Sequence, residues 1–241
     1  MKYHVPVLLN ESIKGLSIKP EGTYVDLTFG GGGHSKLILE KLNSKGKLFS
    51  FDTDTDAIKN NPISQDNFEL INSNFKFFDL YLKNKGIYEV DGILADLGIS
   101  SYQIDNSERG FSYKGDYMLD MRMNSEIDLS AEDILNDYDQ KDLQNILFNY
   151  GDIKNSRFIA ENIVYFRSSK RIKKNSDLIE ILNKIFDKKV SFKFLSKLYQ
   201  AIRIEVNDEI NSLKEMLKKT INHLKNKGRL VIISYHSIED R

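Results

Sequence analysis

The chain has 241 residues, 40% of them hydrophobic, with 35 basic and 35 acidic side chains and no cysteine. That size allows one large α/β domain, or a domain carrying a sizeable insertion. Lack of cysteine excludes a disulfide frame, a thiolate metal site and a cysteine nucleophile, and zero net charge argues against a general nucleic-acid binder.

The N-terminal apolar run in "MKYHVPVLLNES" is too short for a signal peptide. No later stretch approaches the roughly 18 apolar residues of a spanning helix. A cytoplasmic protein with no membrane partner is expected. Residues 23–29 ("TYVDLTF") predict a buried strand, rich in β-branched and aromatic side chains. Four glycines follow, Gly30 to Gly33, and then Leu37, Ile38 and Leu42 recur at helical spacing up to Gly46. "KLFSFD" (47–52) reads as a second strand, "TDAIKN" as a short helix cut by Pro62, residues 68–75 as a third strand with its turn, and 90–100 as a fourth. Strands alternating with helices imply parallel pairing in a doubly wound sheet.

That rhythm stops at about residue 105, and helix signals without strands run to 198. "LSAEDIL" opens on Ser130 with Asp133 three residues on, close to a capping box, and a helix in "NSDLIEILNKIF" is expected to open at Ser176 in the same way. "RSSKRIKKNS" is the one candidate flexible segment. A long helix then carries Val206, Ile210, Leu213, Leu217, Ile221 and Leu224 on one face and is expected to end at Lys225, Lys227 and Gly228. Residues 229–237 predict a fifth strand.

Four glycines in succession suggest a close approach to the backbone. The dinucleotide fingerprint fails: counted from Gly30 its last glycine is Ser35, and counted from Gly31 it is Lys36. A Walker phosphate loop fails as well, so the turn does not read as a pyrophosphate cradle. Asp52 ends the second strand, where a carboxylate reaches both ribose hydroxyls of an adenosine. A calcium loop through "DTDTD" would need glycine and glutamate where Ala57 and Ile63 stand, so Asp54 and Asp56 read as acids at a helix N-terminus. Asp96 ends the fourth strand. Three polar features at three parallel strand ends describe a site for S-adenosylmethionine, a nucleoside donor without phosphate. Four scattered histidines give no metal-ligand spacing, and no required metal is expected; His4 and His223 read as incidental.

The motifs "HVPVLLNES", "TFGGGGHS", "DGILADLGISS", "ERGFSY", "LDMRM", "YQAIRIEVNDEI" and "ISYHSIEDR" occur in order from His4 to Arg241. Together they resemble the bacterial methyltransferases that modify the N4 amine of a cytidine in small-subunit (16S) ribosomal RNA. The resemblance implies a Rossmann-like, S-adenosylmethionine-dependent methyltransferase sheet, formed by residues 1–104 and 199–241, with a helical insertion at 105–198 for recognising RNA. It implies a donor site of Gly32, Gly33 and His34 at the turn, Asp52 on the ribose, Phe75 beside the adenine, and Asp96 and Gln103 closing the crevice. Gly31 stands where the family usually has a basic residue. The family continues past "HSIEDR" through another helix and two strands, so the chain reads as C-terminally truncated, and the alternative to methyl transfer is a non-catalytic, S-adenosylmethionine-binding role in assembly of the small subunit. The residues alone leave DNA or a small amine open as the methyl acceptor.

Methyl transfer to an aromatic amine needs in-line placement and an acceptor for the departing proton. Asp96, or backbone carbonyls near Leu97 and Gly98, are candidates, with Asp96 a donor contact first and a catalytic group second. The target base must be unstacked or single-stranded. Tyr113, Tyr117, Asp120 and Arg122 in "GFSYKGDYMLDMRM" are candidates to hold it, with His236 beyond the fifth strand. Residues 91–140 hold 12 acids and 3 bases, whereas 151–200 hold 12 bases and 5 acids. The second block, through Lys170, Arg171, Lys173 and Lys174 and then Lys188, Lys189 and Lys193 among Phe186, Phe192 and Phe194, suits an RNA backbone. The partner expected is ribosomal RNA within the assembling small subunit, with the protein a monomer or a homodimer.

Overall fold

The computed structural model describes residues 6–241; the expectation for His4, and the first two residues of the motif that starts there, lie outside them. The chain forms two compact units, one of residues 1–100 and 210–241 and the other of residues 101–209.

The first unit is built on five strands, β1 (Thr23–Asp26), β2 (Lys47–Asp52), β3 (Phe68–Asn72), β4 (Val90–Asp96) and β5 (Leu224–Ile233). They lie in the order β3-β2-β1-β4-β5, every pair parallel. This is the Rossmann-like α/β sheet the strand–helix rhythm implies. Side chains alternate between its faces, as a pleated strand requires. Val25, Phe49, Phe51, Ile93 and Ala95 pack on one face with Phe78 and Leu82 of α4 (Phe78–Asn84) and with Leu213 and Met216 of α11 (Glu209–Thr220). Tyr24, Leu48 and Leu94 pack on the other with Leu16 of α1 (Leu9–Leu16) and Ile38 and Leu39 of α2 (Gly33–Leu39). α3 (Thr55–Lys59) follows β2 and is capped by Asp54, whose side chain accepts from the Asp56 amide; Asp54 and Asp56 thus stand at a helix N-terminus as their sequence suggests.

The second unit holds α5 (Ser101–Asp105), α6 (Ala131–Asp137), α7 (Gln140–Gly151), α8 (Ser156–Arg167), α9 (Asn175–Phe186) and α10 (Phe192–Val206). Its core is formed by Leu119, Ile134, Leu135, Leu147, Ile159, Ile163, Leu178, Leu182, Leu198 and Ile202, all buried. Ser130 and Asp133 form the capping box of α6.

Four local expectations need correction. The single long helix is two helices, because Asn207 and Asp208 interrupt it. The Asn207 side chain accepts from the Met123 amide at 2.7 Å and donates to the carbonyls of Met121 and Arg203, and Asp208 turns left-handed at φ +50°. Helix α11 then ends at Thr220, and Lys225, Lys227 and Gly228 belong to β5, which starts five residues before its predicted position and ends at Ile233. β5 must begin early to reach Val90 at the start of β4, across a bulge between Val90 and Gly92. Helix α9 opens at Asn175, not after Ser176, since the Asp177 carboxylate accepts from the Lys173 and Lys174 amides. Finally, 167–176 is pinned. Ile172 is buried and its amide donates to Asn136, while Asn175 accepts from the Tyr117 amide and donates to the Gly115 carbonyl.

At the amino end of the sheet, buried Asp91 of β4 draws three segments together. It accepts from the Thr23 amide of β1 at 3.0 Å and pairs with Lys19 at 2.9 Å and Lys225 of β5 at 2.7 Å. Burial alone raises a carboxyl's pKa, but the lysines and the amide outweigh it and hold Asp91 at about 2. A depressed folded value means stability that is present above the unfolded value near 4 and is lost as pH falls through about 2. Asp91→Asn is therefore expected to cost on the order of 2 kcal/mol near neutral pH. Urea unfolding should show the gap from the parent chain closing as pH approaches 2.

Candidate functional site

The order β2-β1-β4 reverses the winding of the sheet at β1, and the carboxyl ends of these three strands form the crevice where ligands of such sheets bind. The chain leaves β1 into the glycine turn, with Gly30 at φ +54° and Gly32 at φ +77°. These angles explain two of the four glycines. At Gly32 a Cβ would also lie 2.8 Å from the Phe29 ring, and at Gly33 it would lie 2.3 Å from Cγ of Pro6. Gly31 is exposed and a Cβ there would meet nothing within 4 Å. The close approach predicted from the glycine run is therefore, at Gly32 and Gly33, an approach by the protein's own side chains.

Asp52 fastens this turn to β2. Its Oδ2 accepts from the Gly30 amide at 2.7 Å and its Oδ1 from the Asp54 amide at 2.9 Å. Loss of solvent raises its pKa to about 6 against the pull of these two amides. Asp52 as a residue is partly exposed. Each oxygen has a second lone pair free, so the group can take two more donors. A ribose diol supplies two.

Beneath the turn lies Asp26, fully buried at the end of β1. It accepts from the Ser35 hydroxyl at 2.6 Å and the Thr28 amide at 3.1 Å, and Ser35 in turn meets the Ser50 hydroxyl at 2.8 Å. Burial pushes the Asp26 carboxyl upward, opposed by Ser35. Asp96, at the end of β4, is partly exposed. Its amide donates to the Thr28 hydroxyl at 2.7 Å, and one carboxyl oxygen accepts from the Tyr235 hydroxyl at 2.9 Å. Burial raises the pKa of Asp96 too, against the Tyr235 hydrogen bond. His34 is buried with Nδ1 3.8 Å from the other Asp96 oxygen, while its Nε2 has no hydrogen-bond partner among the described residues. Phe75 sits in the short turn after β3, half-buried and packed on the sheet core.

The turn, His34, Asp52 and Asp96 thus meet at one end of one sheet. Sequence reasoning missed Asp26, Thr28, Ser35 and Tyr235. Asp26 was signalled as a lone acid inside the apolar run "YVDLTF", but Tyr235 had no signal, because its reach to Asp96 depends on β4 and β5 pairing in register. His236 lies past the end of β5, mostly buried, with Nε2 3.4 Å from Glu239. His223 is buried too, against the Phe78 ring.

The remaining sequence candidates belong to the second unit. Gln103 is buried in α5. Tyr113 stacks on Phe192 and meets Tyr199 edge-on, and Tyr117 is exposed. Arg122 grips Asp120 through two nitrogens at 3.0 and 2.8 Å and donates to the Ile127 carbonyl, so both residues hold their own loop. Lys170 pairs with Asp177, and Arg171 lies among Glu132, Asp133 and Asp137. Among the described residues no helix is long and apolar enough to cross a membrane.

A model of the MraW methylase family matches residues 1–241. The chain belongs to the MraW methylase family. It is 51% identical to the ribosomal RNA small subunit methyltransferase H of Flavobacterium johnsoniae over 241 residues, 100% of this chain and 80% of that protein. It is 51% identical to the protein of the same name from Phocaeicola vulgatus over 99% of this chain and 78% of the relative, and 50% identical to that of Cytophaga hutchinsonii over 99% and 80%. The glycines of the turn divide by role. Gly33→Ala, forced against Pro6, is expected to lose roughly 1–3 kcal/mol of stability. Gly31→Ala should stay within about 0.5 kcal/mol of the parent. Equal thermal midpoints for the two variants would contradict the packing described for Gly33.

Proposed function

We propose that this chain transfers a methyl group from S-adenosylmethionine to the N4 amine of a cytidine in small-subunit ribosomal RNA, in the cytoplasm. The observation that carries the reading is Asp52 at the crevice of a MraW family methylase, each of its carboxyl oxygens accepting one backbone amide and having a second lone pair for a ligand's donor. The names of the relatives support the ribosomal substrate. The resemblance supports the N4 position.

In this reading Asp52 accepts both ribose hydroxyls, and the turn at Gly32, Gly33 and His34 lies along the amino-acid part of the donor. Phe75 offers its half-exposed ring to the adenine. Gln103 completes the donor site, and Tyr113, Tyr117, Asp120, Arg122 and His236 are assigned to the substrate side. The 101–209 unit receives the RNA. When bound, the sulfonium supplies an electrophilic methyl, so the protein needs neither a metal nor a covalent intermediate to activate it. The residues supply alignment, which is worth roughly 7–11 kcal/mol of barrier. Asp96 holds the amine through its carboxyl and takes up the proton that departs as the N–C bond forms. Its raised pKa favours that acceptance, and Tyr235 fixes its orientation.

Asp52→Ala is expected to weaken S-adenosylmethionine binding roughly 10- to 100-fold in titration calorimetry, the loss of hydrogen bonds to a charged group. In the parent chain affinity should rise between about pH 5 and 7, because the ionised carboxylate is the better acceptor and Asp52 ionises near 6. A flat pH profile and an unchanged affinity in Asp52→Ala would remove the donor from this position. Transfer of labelled methyl to immature small subunits, followed by mass mapping of methylated cytidine, tests the reaction. Donor binding without any transfer would leave a non-catalytic assembly role.

A further inference from the structure

Resting on that reading, we propose that single-stranded RNA lies over the turn between α9 and α10, along Lys188, Lys189 and Lys193 and onto the Phe192 ring, and not over the 170–174 segment. The 170–174 segment is the denser run of cations in the sequence, but three of its four charges, Lys170, Arg171 and Lys174, are already matched. Lys170 is 2.6 Å from Asp177 and Lys174 is 2.8 Å from Asp116. Arg171 is 2.9 Å from Glu132, 3.0 Å from Asp137 and 3.5 Å from Asp133. A phosphate approaching Arg171 meets three carboxylates around one guanidinium and is repelled by them.

The α9–α10 turn is different. Lys188, Lys189 and Lys193 are exposed, and among the described residues none of the three ammonium groups has a carboxylate within ion-pair distance. Their backbone is nevertheless fixed. Val190 between them is buried, and its amide donates to Asn183 at 2.9 Å. Lys188 and Lys189 border a groove of about 730 Å³ that runs past Asn183 and Ser176 to Gly115. Two acids line that groove: Glu180 is spent on Lys184 at 2.7 Å, and Asp187 is exposed beside Lys188, leaving the turn with a surplus of positive charge.

Next to the lysines stands an aromatic ring that burial does not explain. Phe192 is 64% exposed at the start of α10, just after the cap residue Ser191. One side of it is braced by Tyr113, with ring centroids 5.8 Å apart and planes 24° from parallel. Tyr113 is itself held edge-on by Tyr199 at 5.6 Å. A supported ring beside unpaired lysines on a rigid turn has the two parts by which proteins hold single strands: cations that track the backbone and a face on which a base stacks. A duplex hides its base faces and would leave Phe192 unused.

The test uses the full chain and a labelled single-stranded oligoribonucleotide of about 12 nucleotides, followed by fluorescence anisotropy over a range of potassium chloride. Replacing Lys188, Lys189 and Lys193 together by alanine should weaken binding and reduce the salt slope by about 2, since each single-strand phosphate contact contributes about 0.7. Phe192→Ala should weaken binding roughly tenfold with the slope unchanged. If Phe192→Ala lowers the thermal midpoint, Phe192→Leu keeps the apolar contact and should still lose affinity. Lys170→Ala with Arg171→Ala should change neither quantity. The surface assignment is overturned if the triple variant keeps the parent slope, or if its loss appears with duplex RNA alone. Methyl transfer by the parent chain to immature subunits is measured separately. Transfer with an unchanged slope in the triple variant sinks the surface and leaves the reaction standing. Absence of transfer sinks the reaction, while the anisotropy series still judges the surface.

Discussion

The hydrogen bond from the Gly30 amide to the Asp52 carboxyl is the constraint on which the candidate site depends. It joins the turn after β1 to the end of β2 and sets the left-handed path of the glycines. Burial of the same carboxyl raises its pKa to about 6, against the pull of the Gly30 and Asp54 amides. In the proposed reading one side chain does two jobs that pull against each other. The fold favours a neutral, buried acid, and recognition of a diol favours a charged acceptor. Strain of this kind is common where binding takes place.

The two ends of the sheet show the contrast. Asp91, at the amino end, is neutralised by two lysines and its pKa falls to about 2. Asp26, Asp52 and Asp96, at the carboxyl ends, receive backbone amides and the hydroxyls of Ser35 and Tyr235, and their pKa values move up. Neutral donors satisfy part of a carboxylate's capacity without cancelling its charge. A lysine at any of these positions would have closed it. The sheet is pinned by ion pairs at its amino end, and its carboxyl-end acids are met by neutral donors alone.

Much of this was legible in the sequence because it rests on local signals. β1, β2 and β4 announce themselves by apolar runs, the turn by its glycines, and Asp52 and Asp96 by their places at strand ends. What was not legible depends on contacts distant in sequence. The interruption at Asn207 needs Met121 and Met123 to stand opposite it, and a pattern of apolar residues at helical spacing runs straight across that break. The early start of β5 is dictated by the length of β4 and overrides the helix-ending look of Lys225 and Gly228. Tyr235 reaches Asp96 from just past the end of β5, 139 residues further along the chain. Nothing in the glycine run signals that Pro6 packs against Gly33.

Charge was the least readable property, for a reason that reaches beyond this chain. The acidic block at 91–140 and the basic block at 151–200 look like two separate fields when counted along the sequence. Within the 101–209 unit they face each other, and Lys174 meets Asp116 while Arg171 meets Glu132, Asp133 and Asp137. The potential outside the protein comes from what pairing leaves over, because a matched pair is a dipole whose field falls faster than that of a lone charge and is further screened by salt. Three lysines on a short fixed turn therefore outweigh a run of four cations of which three, Lys170, Arg171 and Lys174, already have partners. The same logic separates the two aromatic clusters of this unit. Phe186 and Phe194 contact each other and are both half-buried, whereas Phe192 is held from behind and turned outward. A side chain held rigid and left uncovered is one whose interaction is completed by something outside the fold.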